Sequence, residues 1–177
     1  MRIILKMEFL NCKNKSGYLE IIMGPMFAGK STELLRIINL YKCLDKSVTV
    51  INHKINNRYG ESTSLITHDK NKITDCLVLS DLSNLENDYR DKFDRTDVII
   101  IEELQFFENS FDTIIKWVDI DSKIVICAGL DGDYNRAPFG DLLKLIPYSN
   151  KVKKLSALCK SCGDGTLAHF TKRITKC

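Results

Sequence analysis

The sequence predicts an α/β fold: a parallel sheet flanked by helices, with a small module appended at the C-terminus. Two observations carry this. Short β-branched apolar runs at 18–23, 47–51, 97–101 and 123–128 alternate with stretches whose apolar residues recur at spacings of three and four. That is the pattern of strands joined by crossover helices. Each of three runs is also followed by a cluster of glycine, acidic or basic residues, and ligands in parallel sheets sit at the carboxyl ends of the strands.

Composition sets the limits. The 177 residues are 44% hydrophobic, enough to build a core in one domain with at most a small appendage. The net charge of +3 is spread along the chain, which argues against a nucleic-acid or membrane surface. No apolar run approaches the roughly 20 residues of a membrane helix. Residues 1–16 read as a loosely held lead-in, and Lys6 and Glu8 interrupt the one apolar patch there, so it makes a poor signal peptide. The seven cysteines are an odd number, and Cys12, Cys43, Cys76 and Cys127 stand alone. This is no disulfide framework, and the expected setting is reducing and cytoplasmic.

The elements follow in order. Tyr18–Met23 is an apolar strand leading into Gly24-Pro25-Met26-Phe27-Ala28-Gly29-Lys30-Ser31, which matches G-x-x-x-x-G-K-[ST]. Glycines at this spacing let successive backbone N–H groups turn inward on a phosphate, and a helix starting near Lys30 adds the positive end of its dipole. Lys30 is placed to reach the β- and γ-phosphates of ATP, and the Ser31 hydroxyl to ligate Mg²⁺. Leu34, Leu35, Ile37, Ile38 and Tyr41 give the segment after the loop a helical period, so strand, loop and helix are all present. This makes the sheet P-loop NTPase-like.

Ser47–Ile51 predicts the second strand, and residues 52–72 a long loop with short turns. Leu82, Leu85, Tyr89 and Phe93 predict an amphipathic helix within 77–95. Asp97–Ile101 predicts a buried strand ending at Glu102 and Glu103. One acid there suits the water shell of Mg²⁺ and a second suits proton acceptance. Neighbours on a strand face opposite ways, so both reach the phosphates only if the strand has already ended. Phe111–Val118 predicts a helix and Lys123–Ala128 a strand, followed by Gly129-Leu130-Asp131-Gly132. The rings of Phe106, Phe107, Tyr134 and Phe139 fit either a nucleobase pocket or the core, and Arg58 and Arg136 are loop arginines able to pair with phosphate.

From residue 151 the character changes. Cys159-x-x-Cys162 has the spacing of half a zinc site, with His169 and Cys177 as the remaining candidate ligands; a redox dithiol is the other reading. The expected division is therefore a nucleotide-binding domain at 1–150 and a short zinc-type module at 151–177.

Taken together, the loop extended through Thr32-Glu-Leu34, Asn57-Arg58-Tyr59, Thr67-His68-Asp69, Glu103-Leu-Gln-Phe-Phe107, Leu130-Asp-Gly132, Arg136 with Pro138-Phe-Gly140, and Thr171-Lys-Arg173 resemble the type II thymidine kinases. The resemblance runs in order over about residues 18–173. It implies transfer of the ATP γ-phosphoryl group to the 5′-hydroxyl of thymidine. Glu103 then matches the catalytic base, with Lys30 and Arg58 at the transferring phosphate. Gly24 to Thr32 and Glu102 form the ATP·Mg²⁺ site. Met26, Phe106, Leu130, Tyr134, Phe139 and Thr171 line the thymidine site. It further implies a structural Zn²⁺, a homotetramer and feedback inhibition by thymidine triphosphate.

The chain departs from the family pattern. The Asp of Asp-Glu-Gly-Gln-Phe-Phe is Glu102, and its Gly is Leu104, which loses the freedom to adopt positive φ. An Asp before the Arg-Tyr pair is Asn56, and the stretch from Cys162 to Thr171 is about two residues longer. The family's pattern continues past the position of Cys177 with a lasso-like loop over the thymine and a second Cys-x-x-Cys, so the module at 151–177 reads as truncated. Two other classes fit the same motifs: a degenerate chain that binds nucleotide with little turnover, and an ATPase or nucleotide-dependent switch.

Overall fold

A computed structural model describes residues 17–56, 64–66, 72–74 and 76–173. Six strands form a parallel sheet in the order β5-β2-β6-β7-β1-β8. They are β1 (Tyr18–Met23), β2 (Val48–His53), β5 (Cys76–Leu79), β6 (Val98–Ile101), β7 (Ile124–Gly129) and β8 (Lys151–Lys154). A separate antiparallel ribbon pairs β3 (Ser64–Ile66) with β4 (Lys72–Thr74), and a second pairs β9 (Ala157–Leu158) with β10 (Leu167–Ala168).

The central strands are apolar on both faces because both faces are covered. Leu19, Ile21, Ile51, Ile99, Ile101, Val125 and Cys127 project to one side and meet Trp117 and Val118 of α4 (Ser110–Asp119) together with Leu142 and Leu145. Their neighbours Ile22, Val50, Val98, Ile100, Ile126 and Ala128 project to the other and meet Leu34, Ile37 and Ile38 of α1 (Lys30–Lys42). Period 2 in the strands thus feeds period 3.6 in the helices, and each of those three α1 side chains contributes about 1.5–3 kcal/mol by burial. Among the described residues no helix is long and apolar enough to cross a membrane.

Two expectations are corrected. Residues 77–95 do not form one helix. Cys76–Leu79 pairs in parallel with β2, and α2 (Asn84–Asn87) and α3 (Arg90–Arg95) follow, separated where Tyr89 leaves helical geometry at φ −129°, ψ 39°. The spacing of Leu82, Leu85 and Phe93 reflects burial against one face rather than a continuous helix. The residues after 150 also do not all lie apart from the sheet, since Lys151–Lys154 pairs with Glu20–Met23 as its sixth strand.

The lead-in at 1–16, Asn57-Arg58-Tyr59, Thr67-His68-Asp69 and Cys177 lie outside the described residues. The long-loop reading of 52–72 falls partly outside them; within it stand the 3₁₀ turn Lys54–Asn56 and the strand β3.

Candidate active site

The carboxyl ends of β6, β7 and β1, adjacent in the sheet, open onto a cleft of about 190 Å³. Its lining brings together Met26 to Thr32, Glu102, Glu103, Gln105, Phe106, Ala128 and Leu130. Three segments that lie apart in the chain therefore meet where the sheet topology places them.

The loop after β1 is shaped by Gly24. A methyl group there would stand 2.5 Å from the Leu155 carbonyl oxygen, so any larger residue would push the loop off the end of β8. The turn closes with Gly29 at φ 82°, which caps α1, while Phe27 is held at φ 64° with its ring exposed and the Lys160 ammonium 4.8 Å from the ring centre. The Lys30 ammonium folds back and donates to the carbonyls of Gly24 at 3.1 Å and Pro25 at 2.8 Å. A cation is thus held over the loop at the start of a 13-residue helix, where the dipole adds positive potential.

The acids stand opposite. β6 ends at Ile101, so Glu102 and Glu103 escape the alternation of a strand and both line the cleft. Glu102 is buried and accepts a hydrogen bond from the Ser31 hydroxyl. Glu103 adopts left-handed backbone geometry, φ 54°, ψ 44°. This corrects the expectation about Leu104: the positive φ falls one residue earlier, and Leu104 begins the 3₁₀ turn Leu104–Phe106 with its side chain fully buried. Replacing a glycine there costs nothing in backbone freedom, because the turn does not use it.

The aromatic residues divide. Phe106 lines the cleft and packs edge-to-face on Phe139 with centroids 5.7 Å apart. Phe107 is core, buried against His53 at 4.7 Å. Tyr134 is exposed beneath the Arg173 guanidinium and is not part of the cleft lining. Arg136 stacks over Phe170 at 4.3 Å. Thr171 reaches the loop, its hydroxyl accepting from the Met26 N–H at 3.1 Å.

Two residues near the cleft were not among the expected site residues, although Gln105 belongs to the Gln-Phe-Phe stretch that carries the resemblance. Gln105 is buried and hydrogen-bonded to both Glu103 and Leu130. His53, at the end of β2, is 6.0 Å from the Phe106 ring, and burial lowers its basicity against a hydrogen bond to the Ser80 carbonyl that raises it. His53 stands in a mixed segment with no period or motif to mark it, whereas the Gln-Phe-Phe motif marks Gln105 but not what it bonds.

In the hairpin of β9 and β10, Cys159 and Cys162 come together. Hydrogen bonds from the Cys162 backbone and thiol and from the Ser161 backbone lower the Cys159 thiol below its ordinary value. His169 is not gathered with them; its Nδ1 bonds the Ser156 hydroxyl at 2.9 Å. Among the described residues no three His, Cys, Asp or Glu side chains are grouped to hold a metal ion.

A profile described as thymidine kinase matches residues 17–176. The chain belongs to the thymidine kinase family. It is similar to a thymidine kinase of rice, 43% identical over 162 residues that cover 90% of this chain and 58% of the relative. It is equally similar to thymidine kinase a of Arabidopsis thaliana, 43% identical over 159 residues, 89% of this chain and 65% of that one. A thymidine kinase of sheeppox virus is 41% identical over 160 residues, 90% of this chain and 85% of the viral one. The chain thus spans less than two thirds of the two plant members of the family and most of the viral one.

Proposed function

We propose that this chain transfers the γ-phosphoryl group of ATP to the 5′-hydroxyl of thymidine. The observation that carries the reading is the meeting of the Gly24–Ser31 loop with Glu102, Glu103, Phe106 and Leu130 in one cleft. An acid facing the phosphate loop would serve an ATPase equally well, but a switch or bare ATPase has no need of an apolar ring placed to cage a nucleobase beside it.

In this reading the loop amides and Lys30 hold the triphosphate, with the ammonium exchanging its carbonyl partners for phosphate oxygens. Ser31 and Glu102 form an adjacent pair of hard oxygen donors, the chemistry Mg²⁺ prefers, and would hold it directly or through water. When bound, the ion neutralises charge on the β- and γ-phosphates. Glu103 accepts the proton of the attacking hydroxyl. Phe106, Leu130 and Met26, with Phe139 behind Phe106 and Thr171 on the Met26 amide, hold the thymine. Arg58 and Tyr134 are assigned to the site on family resemblance alone.

We further propose the division of the chain near residue 150, with β8 leading from the sheet into a module that carries the cysteine pair. Homotetramer assembly, inhibition by thymidine triphosphate and cytoplasmic location are carried over from the family in the same way. Zinc is another matter. A structural zinc takes four ligands, and the described residues bring together two thiols, which make half a site.

The deciding experiment is ATP-dependent phosphorylation of thymidine, deoxyuridine, deoxycytidine and deoxyguanosine side by side. Turnover confined to the first two supports the proposal. ATP binding without turnover on any of them points to a degenerate chain, and hydrolysis indifferent to nucleoside points to an ATPase.

A further inference from the structure

We propose that Gln105 is a positioning residue that ties the base Glu103 to the nucleoside-facing strand end at Leu130. The inference rests on the reading of Glu103 as the base and names what holds that carboxylate in place.

Gln105 follows Glu103 by two residues, in the 3₁₀ turn, and is 4% exposed. Its Oε1 accepts the Leu130 backbone N–H at 3.0 Å. That contact fixes which end of the amide is which: a backbone N–H can only meet the oxygen, so Nε2 faces the other way and donates. It donates to Oε2 of Glu103. Among the described residues the second Glu103 oxygen has no hydrogen bond, and it is the one left to take a proton.

Two glycines lie close against Gln105, one at its amide and one at its main chain. A methyl group on Gly129 would stand 2.6 Å from the Gln105 Oε1, and one on Gly140 would stand 2.8 Å from the Gln105 Cα and carbonyl oxygen. At Gly140 only bare backbone fits, whereas at Gly129 a methyl group would displace the amide oxygen. The amide is held by its two hydrogen bonds, and the short turn presents Glu103 from left-handed geometry with no helix of its own to hold it. A carboxylate on such a turn drifts unless tied, and misplacement by an ångström costs on the order of a hundredfold in rate.

The two ends of the amide act on different quantities, which makes the proposal testable. Gln105→Glu keeps the shape and the acceptor for Leu130 and, in its ionised form, replaces the donor to Glu103 with a like charge. Gln105→Met keeps the bulk and removes both. At mildly alkaline pH, Gln105→Glu is expected to lower kcat on the order of tenfold to a hundredfold while thymidine KM stays within about twofold. Gln105→Met is expected to lower kcat similarly and to raise thymidine KM severalfold as well. Where Gln105→Met does not fold, Gly129→Ala reads the same combined loss, by driving a methyl group onto Oε1. Wild-type kcat in Gln105→Glu beside an inactive Glu103→Gln overturns the assignment of Gln105 alone. So does a fall in kcat that comes with an equal rise in KM in Gln105→Glu, since a merely structural role moves both. Turnover retained by Glu103→Gln removes the base reading, and this inference with it.

Discussion

The hydroxyl of Ser31, second residue of α1, donates to the carboxylate of Glu102, the first residue past β6. The contact joins the phosphate loop to the acidic side of the cleft across 71 residues of sequence. Ser31→Ala removes one oxygen of the pair assigned to Mg²⁺. It is expected to lower turnover about tenfold to a hundredfold and to move the Mg²⁺ requirement to higher concentration. A magnesium titration of initial rate checks this; an unchanged midpoint would take Ser31 out of the metal site.

Glu103→Gln preserves shape and removes the proton acceptor. The expected result is a kcat lower by about a hundredfold or more, with ATP affinity largely intact. Steady-state kinetics together with a nucleotide-binding titration would measure both.

Phe93 is a test of the core rather than the site. Its ring is buried 5.7 Å from that of Trp117, and the Lys123 ammonium sits 4.8 Å over its face while donating to the carbonyls of Phe93 and Thr96. Phe93→Ala is expected to destabilise the fold by about 3–5 kcal/mol, read from the midpoint of urea unfolding.

Acid sensitivity has two identifiable sources. The Arg36 guanidinium, with Lys153 on the other side, holds the Glu33 carboxyl down at about 2. A lowered carboxylate stabilises the fold above its unfolded value, and that contribution is lost as pH falls from about 4.5 toward 2. His53 is lowered by burial, so the unfolded chain takes up its proton first and stability begins to fall below about 6.5. Thermal melting across pH 3–8 is expected to decline in both windows. Glu33→Gln should flatten the lower one and His53→Phe the upper.

Much of the fold was legible because its signals are contiguous. Tyr18–Met23, the glycine loop and the α1 stripe lie end to end, and three successive isoleucines mark β6 wherever the rest of the chain goes. What could not be read depends on partners distant in sequence. β8 is a lysine-rich edge strand, recognisable only by the backbone it pairs with. Cys76–Leu79 became a strand because β2 offered an edge, overriding the helical spacing that follows it. Within the site, the loop, Glu102 and Glu103 follow from motif and position. The left-handed turn at Glu103 and the amide of Gln105 exist only through contacts with segments well beyond their own turn, at Gly129, Leu130 and Gly140.

The segment from Leu155 to Thr171 is fastened to the phosphate loop at both ends. The Leu155 N–H bonds the Met23 carbonyl, its own carbonyl lies against Gly24, and the Thr171 hydroxyl holds the Met26 amide. The hairpin bearing the two cysteines is thus a closed circuit whose terminals all fall between Met23 and Met26. Thermodynamic linkage then works in both directions. Whatever orders the hairpin preorganises the loop for phosphate, and a bound triphosphate draws the hairpin tighter by the same free energy.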